Sequence, residues 1–147
     1  MDIRETLNEL LVKLFRSINS IEEQAIRVDD YNDLTVNDMH VIEAIGAESG
    51  KNMSSVAKGL SVTTGTLTIA VNSLVKKAYV LRVRSEEDRR VVLLSLTEKG
   101  QRAYAHHKEF HEKMIESIMQ RLDSQEKEVL QKSLGNLIDY FEERRRK

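Results

Sequence analysis

A mainly α-helical fold with one small β-hairpin is what this sequence predicts, from three observations. Apolar residues recur at spacings of three and four near both ends of the chain. Between those ends lie short helical segments, two of them separated by a tight turn. Two aliphatic runs then flank a charged hexapeptide, Ser85-Glu86-Glu87-Asp88-Arg89-Arg90, as strands flank a hairpin tip.

The first helix is read from Ile3, Leu7, Leu10, Leu14, Ile18, Ile21 and Ala25, with Leu11 and Phe15 widening its stripe. The next is expected over Thr35–Ala47, with Thr35 as cap and Met39, Ile42 and Ile45 on one side. A second short helix spans Met53–Leu60, capped by Ser54. The turn Ser61-Val62-Thr63 follows, then a third helix over Thr64–Lys77. Leu67, Val71 and Leu74 fall at i, i+4 and i+7 and face inward, which leaves Thr64, Thr66, Thr68, Asn72, Ser73 and Lys76 on other faces.

Beyond that helix the period changes. Val80–Arg84 and Val91–Leu96 are rich in β-branched and aliphatic residues and form the hairpin strands. Thr97 caps a long helix with Glu98 in its first turn. Ala103, His107, Phe110, Met114 and Ile118 draw one stripe there. Leu130, Leu134, Leu137 and Phe141, with Val129 and Ile138, draw the last. Such broad apolar stripes are covered either within one bundle or by a second copy of the chain.

Composition bounds the chemistry. The chain has 147 residues and a formal net charge of −1, with 40% apolar and 32% charged residues. That fits one domain, 1–147. The absence of Cys excludes a disulfide framework, a thiolate metal site and a thiol nucleophile. Met1-Asp2-Ile3-Arg4-Glu5 is charged from the start, so neither a signal peptide nor a membrane span is expected, and the location expected is cytoplasmic. The charge is unevenly placed: residues 1–50 carry 4 Lys/Arg and 11 Asp/Glu, whereas residues 51–102 carry 10 and 4. A basic middle is the footprint of a nucleic-acid surface.

Helix, turn, polar-faced helix and basic hairpin together make a winged helix-turn-helix. A major groove admits one helix and offers donors and acceptors to short polar side chains. Ser61, Thr63, Thr64, Thr66, Thr68, Asn72 and Lys76 are the candidates there. At the hairpin, Arg82, Arg84, Arg89 and Arg90 are candidates for phosphate or the narrow minor groove, and Asp88 is placed to orient Arg90 through a bidentate pair.

The stretch Asp88-Arg89-Arg90-Val91-Val92-Leu93-Leu94-Ser95-Leu96-Thr97-Glu98-Lys99-Gly100 resembles the signature of the MarR family, D-x-R, a strand, then L-T-x-x-G. The likeness runs over essentially the whole chain. It implies a dimer built from a helical region, 1–30 and 101–147, around a winged helix-turn-helix region, 34–98. It further implies double-stranded DNA with a palindromic operator as partner, Arg90 as the minor-groove arginine and Thr64–Lys77 as the recognition helix. One departure is Ala78, where many relatives carry the glycine that suits a left-handed helix end. An altered helix end is therefore expected here. Within the family, Val83–Val92, Met39-His40-Val41-Ile42, Gly65-Thr66-Leu67-Thr68 and His107 with Phe110-His111 resemble FabT-type regulators. That likeness implies repression of type II fatty-acid synthesis genes, with long-chain acyl-acyl carrier protein as co-repressor. Leu11, Phe15, Ile18, His40, His107, Phe110, His111 and Met114 are then candidates to line an acyl pocket, and Lys51, Lys58, Arg82 and Arg84 to meet the acidic carrier.

The histidines leave a rival open. His107 and His111 stand at i, i+4, a spacing that chelates metal. With His40 and the nearby Glu22 and Glu23 they resemble part of the zinc site of AdcR-type members, although those add a Cys ligand and carry an acidic residue where this chain has Met39. A hydrogen-bonded histidine in a pocket wall is the plainer reading. No cofactor is expected. No G-x-S-x-G, phosphate loop or paired carboxylate points to an enzyme, and the winged middle does not fit a structural coiled coil.

Overall fold

The computed structural model describes residues 1–27 and 31–147; the last three positions of the expected 1–30 helical region lie outside these. In chain order come α1 (Ile3–Glu9), a π-helical turn (Leu10–Leu14), α2 (Phe15–Arg27), α3 (Val36–Ile45), β1 (Lys51–Asn52), α4 (Met53–Gly59), α5 (Thr64–Lys76), β2 (Val80–Arg84), β3 (Val92–Leu96), α6 (Glu98–Met119) and α7 (Ser124–Arg146). Two compact units are distinguished, Met1–Lys108 and Glu109–Lys147. No described helix is long and apolar enough to cross a membrane.

Local chemistry sets most boundaries. Capping boxes start α1 at Asp2 with Glu5, α3 at Thr35 with Asp38, and α7 at Asp123 with Glu126. The cap of α4 is not Ser54, as expected, but Asn52. Its Oδ1 accepts from the backbone N–H of Ser54 at 2.8 Å, and Ser54 falls inside the first turn. The first helix is also not uniform. The wide turn at Leu10–Leu14 inserts a change of phase between α1 and α2, so one 3.6-residue stripe does not run the whole way.

The first unit holds the core. Met39, Ile42 and Ile45 of α3, Val56 and Ala57 of α4, and Leu67, Val71 and Leu74 of α5 are buried together with Tyr79, Val80, Leu94, Leu96 and Ala103. The expected hairpin is present, with β2 and β3 antiparallel and Arg82 opposite Leu94. It is extended by the two-residue β1, which pairs with the other edge of β3 through Lys51 opposite Leu94, giving the order β1-β3-β2. In the second unit α7 buries no residue, and Val129, Leu130, Leu134, Ile138 and Phe141 are exposed along it.

Two helix ends close on non-glycine residues in the left-handed region. Ser61 (φ 57°) ends α4: Val62 N donates to Ala57 O and Ser61 N to Lys58 O, at 3.0 and 3.1 Å. Ala78 (φ 67°) ends α5 in the same way, with Tyr79 N donating to Leu74 O and Ala78 N to Val75 O. The altered helix end expected from Ala78 does not occur. The Schellman pattern is kept, because the two hydrogen bonds and the burial of both Tyr79 and Leu74 outweigh a left-handed penalty of about 1–2 kcal/mol.

Tyr79 then meets α6. Thr97 N donates to Tyr79 O at 3.0 Å, Thr97 Oγ1 donates to Ala78 O at 2.6 Å, and Thr97 Oγ1 accepts from Gly100 N at 3.0 Å, which makes it the helix cap. A Cβ on Gly100 would stand 2.2 Å from Tyr79 O. The glycine of L-T-x-x-G is therefore required by a backbone passing over the helix.

Two stability changes follow. Gly100→Ala forces the Tyr79 backbone off α6 and is expected to lower unfolding stability by about 3 kcal/mol or more, measured by urea denaturation. Ala78→Gly, relieving the left-handed penalty against a larger entropy of the unfolded chain, is expected to raise it by up to about 1 kcal/mol. A destabilising Ala78→Gly would contradict the left-handed assignment.

Candidate nucleic-acid interface

The turn between α4 and α5 presents Ser61 and Thr63 at the surface. Thr63 caps α5, accepting from Thr66 N at 3.1 Å and donating to Thr66 Oγ1 at 3.0 Å. Thr64, Thr66, Asn72 and Lys76 are exposed on α5. Thr68 is not on that open face. It is half-buried, its hydroxyl donating to Thr64 O at 2.7 Å and lying 3.7 Å from Met53 Sδ of α4. A position 100° from its neighbours belongs to whichever face tertiary packing selects, and here α4 takes it. Conversely, Ile69 is 74% exposed, three residues before Asn72. It lies outside the inward Leu67–Val71–Leu74 stripe, and an exposed aliphatic group there suits a thymine methyl.

The wing is braced from within. Ser85 N donates to Val91 O and Val91 N to Asp88 O, both at 2.9 Å, while Arg84 Nη1 donates to Arg89 O at 2.9 Å. At the tip Asp88 holds Arg90 by two side-chain bonds, Nε to Oδ1 and Nη2 to Oδ2, each 3.0 Å, and Oδ1 also accepts from Arg90 N at 3.1 Å. This fork leaves the Arg90 side chain 90% exposed yet fixed in direction. The guanidinium, then the Arg90 backbone N–H, hold the Asp88 carboxyl below its ordinary range, and Asp88 in turn raises Arg90. A carboxylate with a lowered value keeps its pairing above its ordinary range and loses it only as pH falls through the lowered one. Arg82, in β2, donates through Nη1 to Asn72 Oδ1 of α5, so the wing and α5 touch at exposed side chains.

The ligand candidates divide between the units. In the first, Leu11 and Phe15 are exposed and Ile18 half-buried. His107 is buried, with Nε2 2.9 Å from Glu43 Oε1 and 3.7 Å from Glu22 Oε1; His40, more exposed, has Nε2 3.8 Å from Glu22 Oε2. Glu43 was not foreseen. It stands three residues after His40 on α3, and only the packing of α6 on α3 brings His107 to it. In the second unit Phe110, His111 and Met114 are half-buried, the first two rings meeting edge-on with centroids 5.5 Å apart. Lys51 is half-buried on β1 and Lys58 exposed on α4.

Known proteins with this arrangement regulate transcription. The family model for transcriptional regulator SarA/Rot matches residues 27–107. The chain is 29% identical over 136 residues to YpoP, an uncharacterized HTH-type transcriptional regulator of Bacillus subtilis, covering 92% of this chain and 88% of that one. It is 41% identical over 69 residues to the HTH-type transcriptional regulator SarZ of Staphylococcus haemolyticus, covering 47% of each. Among solved structures, that of Streptococcus pneumoniae FabT in complex with DNA superposes with a TM-score of 0.90 at 40% identity, covering 95% of this chain and 98% of that one.

Replacement of Arg90 by Ala is expected to weaken duplex binding and reduce its dependence on log salt by about one phosphate-equivalent, or to alter A·T preference where the groove is read. Asp88→Ala should weaken binding less, because the cation stays and only its direction is lost. Filter binding across salt concentrations measures both. Between pH 5 and 8 the Asp88–Arg90 pair should contribute no pH dependence, since its carboxylate stays ionised throughout that range.

Proposed function

Starting from a chain that belongs to the MarR family of winged helix-turn-helix DNA-binding transcriptional regulators, we propose that it is a homodimeric repressor of type II fatty-acid synthesis genes whose co-repressor is a long acyl chain on acyl carrier protein. The observation that carries DNA reading is the Asp88–Arg90 fork at the wing tip, a preformed cation aimed into solvent beside an exposed polar helix. Ser61, Thr63, Thr64, Thr66, Asn72 and Lys76 are assigned to the major groove, and Arg82, Arg84, Arg89 and Arg90 to the wing contacts.

Self-association is supported by the apolar side chains that one copy leaves in solvent, Ile3, Leu7 and Leu14 near one end and Leu130, Leu134 and Phe141 near the other. A two-fold pair of recognition helices calls for a palindromic operator with half-sites about one helical turn apart.

The effector assignment is supported by the likeness to FabT over nearly the full length of both chains. Leu11, Phe15, Ile18, Phe110 and Met114 are the apolar side chains assigned to the acyl chain, with His40, His107 and His111 as polar neighbours. A chain of about 16 carbons buries methylene surface worth on the order of 10 kcal/mol before entropy is subtracted. Only the part that differs between the DNA-binding conformation and its alternative shifts the equilibrium. A second reading, zinc as co-repressor, is favoured by one observation: buried His107 faces the carboxylates of Glu43 and Glu22, an N/O donor set that zinc accepts.

A gel-shift titration separates the two, with EDTA present in the acyl-carrier arm and absent from the zinc arm. Acyl carrier protein loaded with a C16 or C18 chain is expected to tighten operator binding, with unloaded carrier and zinc added alone having no effect. Tightening by zinc, with no response to the acylated carrier, replaces the fatty-acid reading by the metal one.

A further inference from the structure

Arg82 of β2 and Asn72 of α5 meet through exposed side chains. A guanidinium has only donors, so the amide atom of Asn72 that faces Arg82 Nη1 must be the oxygen, Oδ1. The amide N–H groups are thereby turned away from Arg82. Asparagine reads adenine with both ends of its amide, Oδ1 accepting from N6–H and Nδ2 donating to N7. Here Oδ1 is engaged. Its second lone pair does not restore adenine reading, because the N6 amino group would then stand against the guanidinium, donor on donor. What Asn72 and Arg82 jointly offer a major groove is donors only. The matching base edge is guanine, whose N7 and O6 both accept.

We propose that Arg82 is a specificity-determining partner of Asn72, and that it makes one position of each half-site a guanine by denying adenine the amide oxygen. The inference rests on α5 being the recognition helix. It goes further in assigning a base to a named pair and a role to a strand residue that phosphate contact alone would not give it. Both side chains are exposed, so replacing them leaves the core intact.

The test is selection from randomised duplexes by the purified wild-type protein, Asn72→Ala, Arg82→Met and Arg82→Lys, with sequencing of the bound pool. Thermal melting checks each fold. The position read by Asn72 is the one whose preference disappears in Asn72→Ala. There the wild type is expected to favour guanine over adenine by at least about fivefold, as loss of one good bidentate contact implies. Arg82→Met, which keeps the aliphatic stem and frees Oδ1, should lower that ratio by about fivefold or more toward adenine. Arg82→Lys, which still donates to Oδ1, should keep guanine. Adenine preferred by the wild type at this position, or an unchanged ratio in Arg82→Met, overturns the proposal. So does an Asn72→Ala pool identical to the wild-type pool, which leaves the winged-helix reading standing if an operator is still enriched. A wild-type pool with no enriched sequence overturns the recognition-helix reading and this proposal with it.

Discussion

The carbonyl of Tyr79 is the point on which the winged helix-turn-helix part of the molecule depends. It accepts from Thr97 N and lies where a side chain on Gly100 would be. The residue before it, Ala78, has just reversed the chain at the end of α5. One residue later β2 begins. α5, the wing and α6 are therefore joined through a few backbone atoms, not through a flexible linker. Any displacement of α6 near Gly100 must be felt at the end of α5, because no side chain stands between them to absorb it.

A second set of contacts holds the same junction from the other side. Tyr79 Oη donates to Asp33 Oδ1 at 2.7 Å, and Lys77 Nζ reaches both Asp33 O and Asp38 Oδ2, at 2.6 and 3.1 Å. Lys99 Nζ lies 4.2 Å from the centre of the Tyr79 ring and donates to Lys77 O at 3.0 Å. Asp33 and Asp38 belong to the entry of α3, so the start of α3, the end of α5 and the start of α6 form one polar knot above the core. The desolvated parts of these charges are satisfied by one another, which is what lets Asp38 be buried. The wing tip uses the same chemistry with the opposite exposure. Asp88 and Arg90 gain little stability in water, but the fork removes rotamer freedom from an exposed cation and holds it in one direction.

The buried histidine belongs to the same unit but to a different logic. His107 stands on α6 seven residues beyond Gly100, against carboxylates from α2 and α3. A polar group held in the core by carboxylates from separate helices ties the positions of those helices together. The helix that carries His107 also carries the Gly100–Tyr79 contact.

The sequence by itself determined the elements whose cause is local. Periodicity gave the inward face of α5 at Leu67, Val71 and Leu74, and Thr35 and Thr97 marked helix starts because a cap needs only its own next turn. Asp88 and Arg90 are two residues apart, so their pairing was legible without any fold. What the tertiary structure decided involves partners distant in the chain. Asn52 and not Ser54 caps α4 because β1 pairs with β3 and holds Asn52 extended. Ala78 keeps a left-handed angle because Tyr79 and Leu74 are buried together. Thr68 turns to α4 because Met53 packs beside it, which the helical period of α5 alone does not show. Glu43 meets His107, and Arg82 meets Asn72, only because packing brings α6 beside α3 and β2 beside α5.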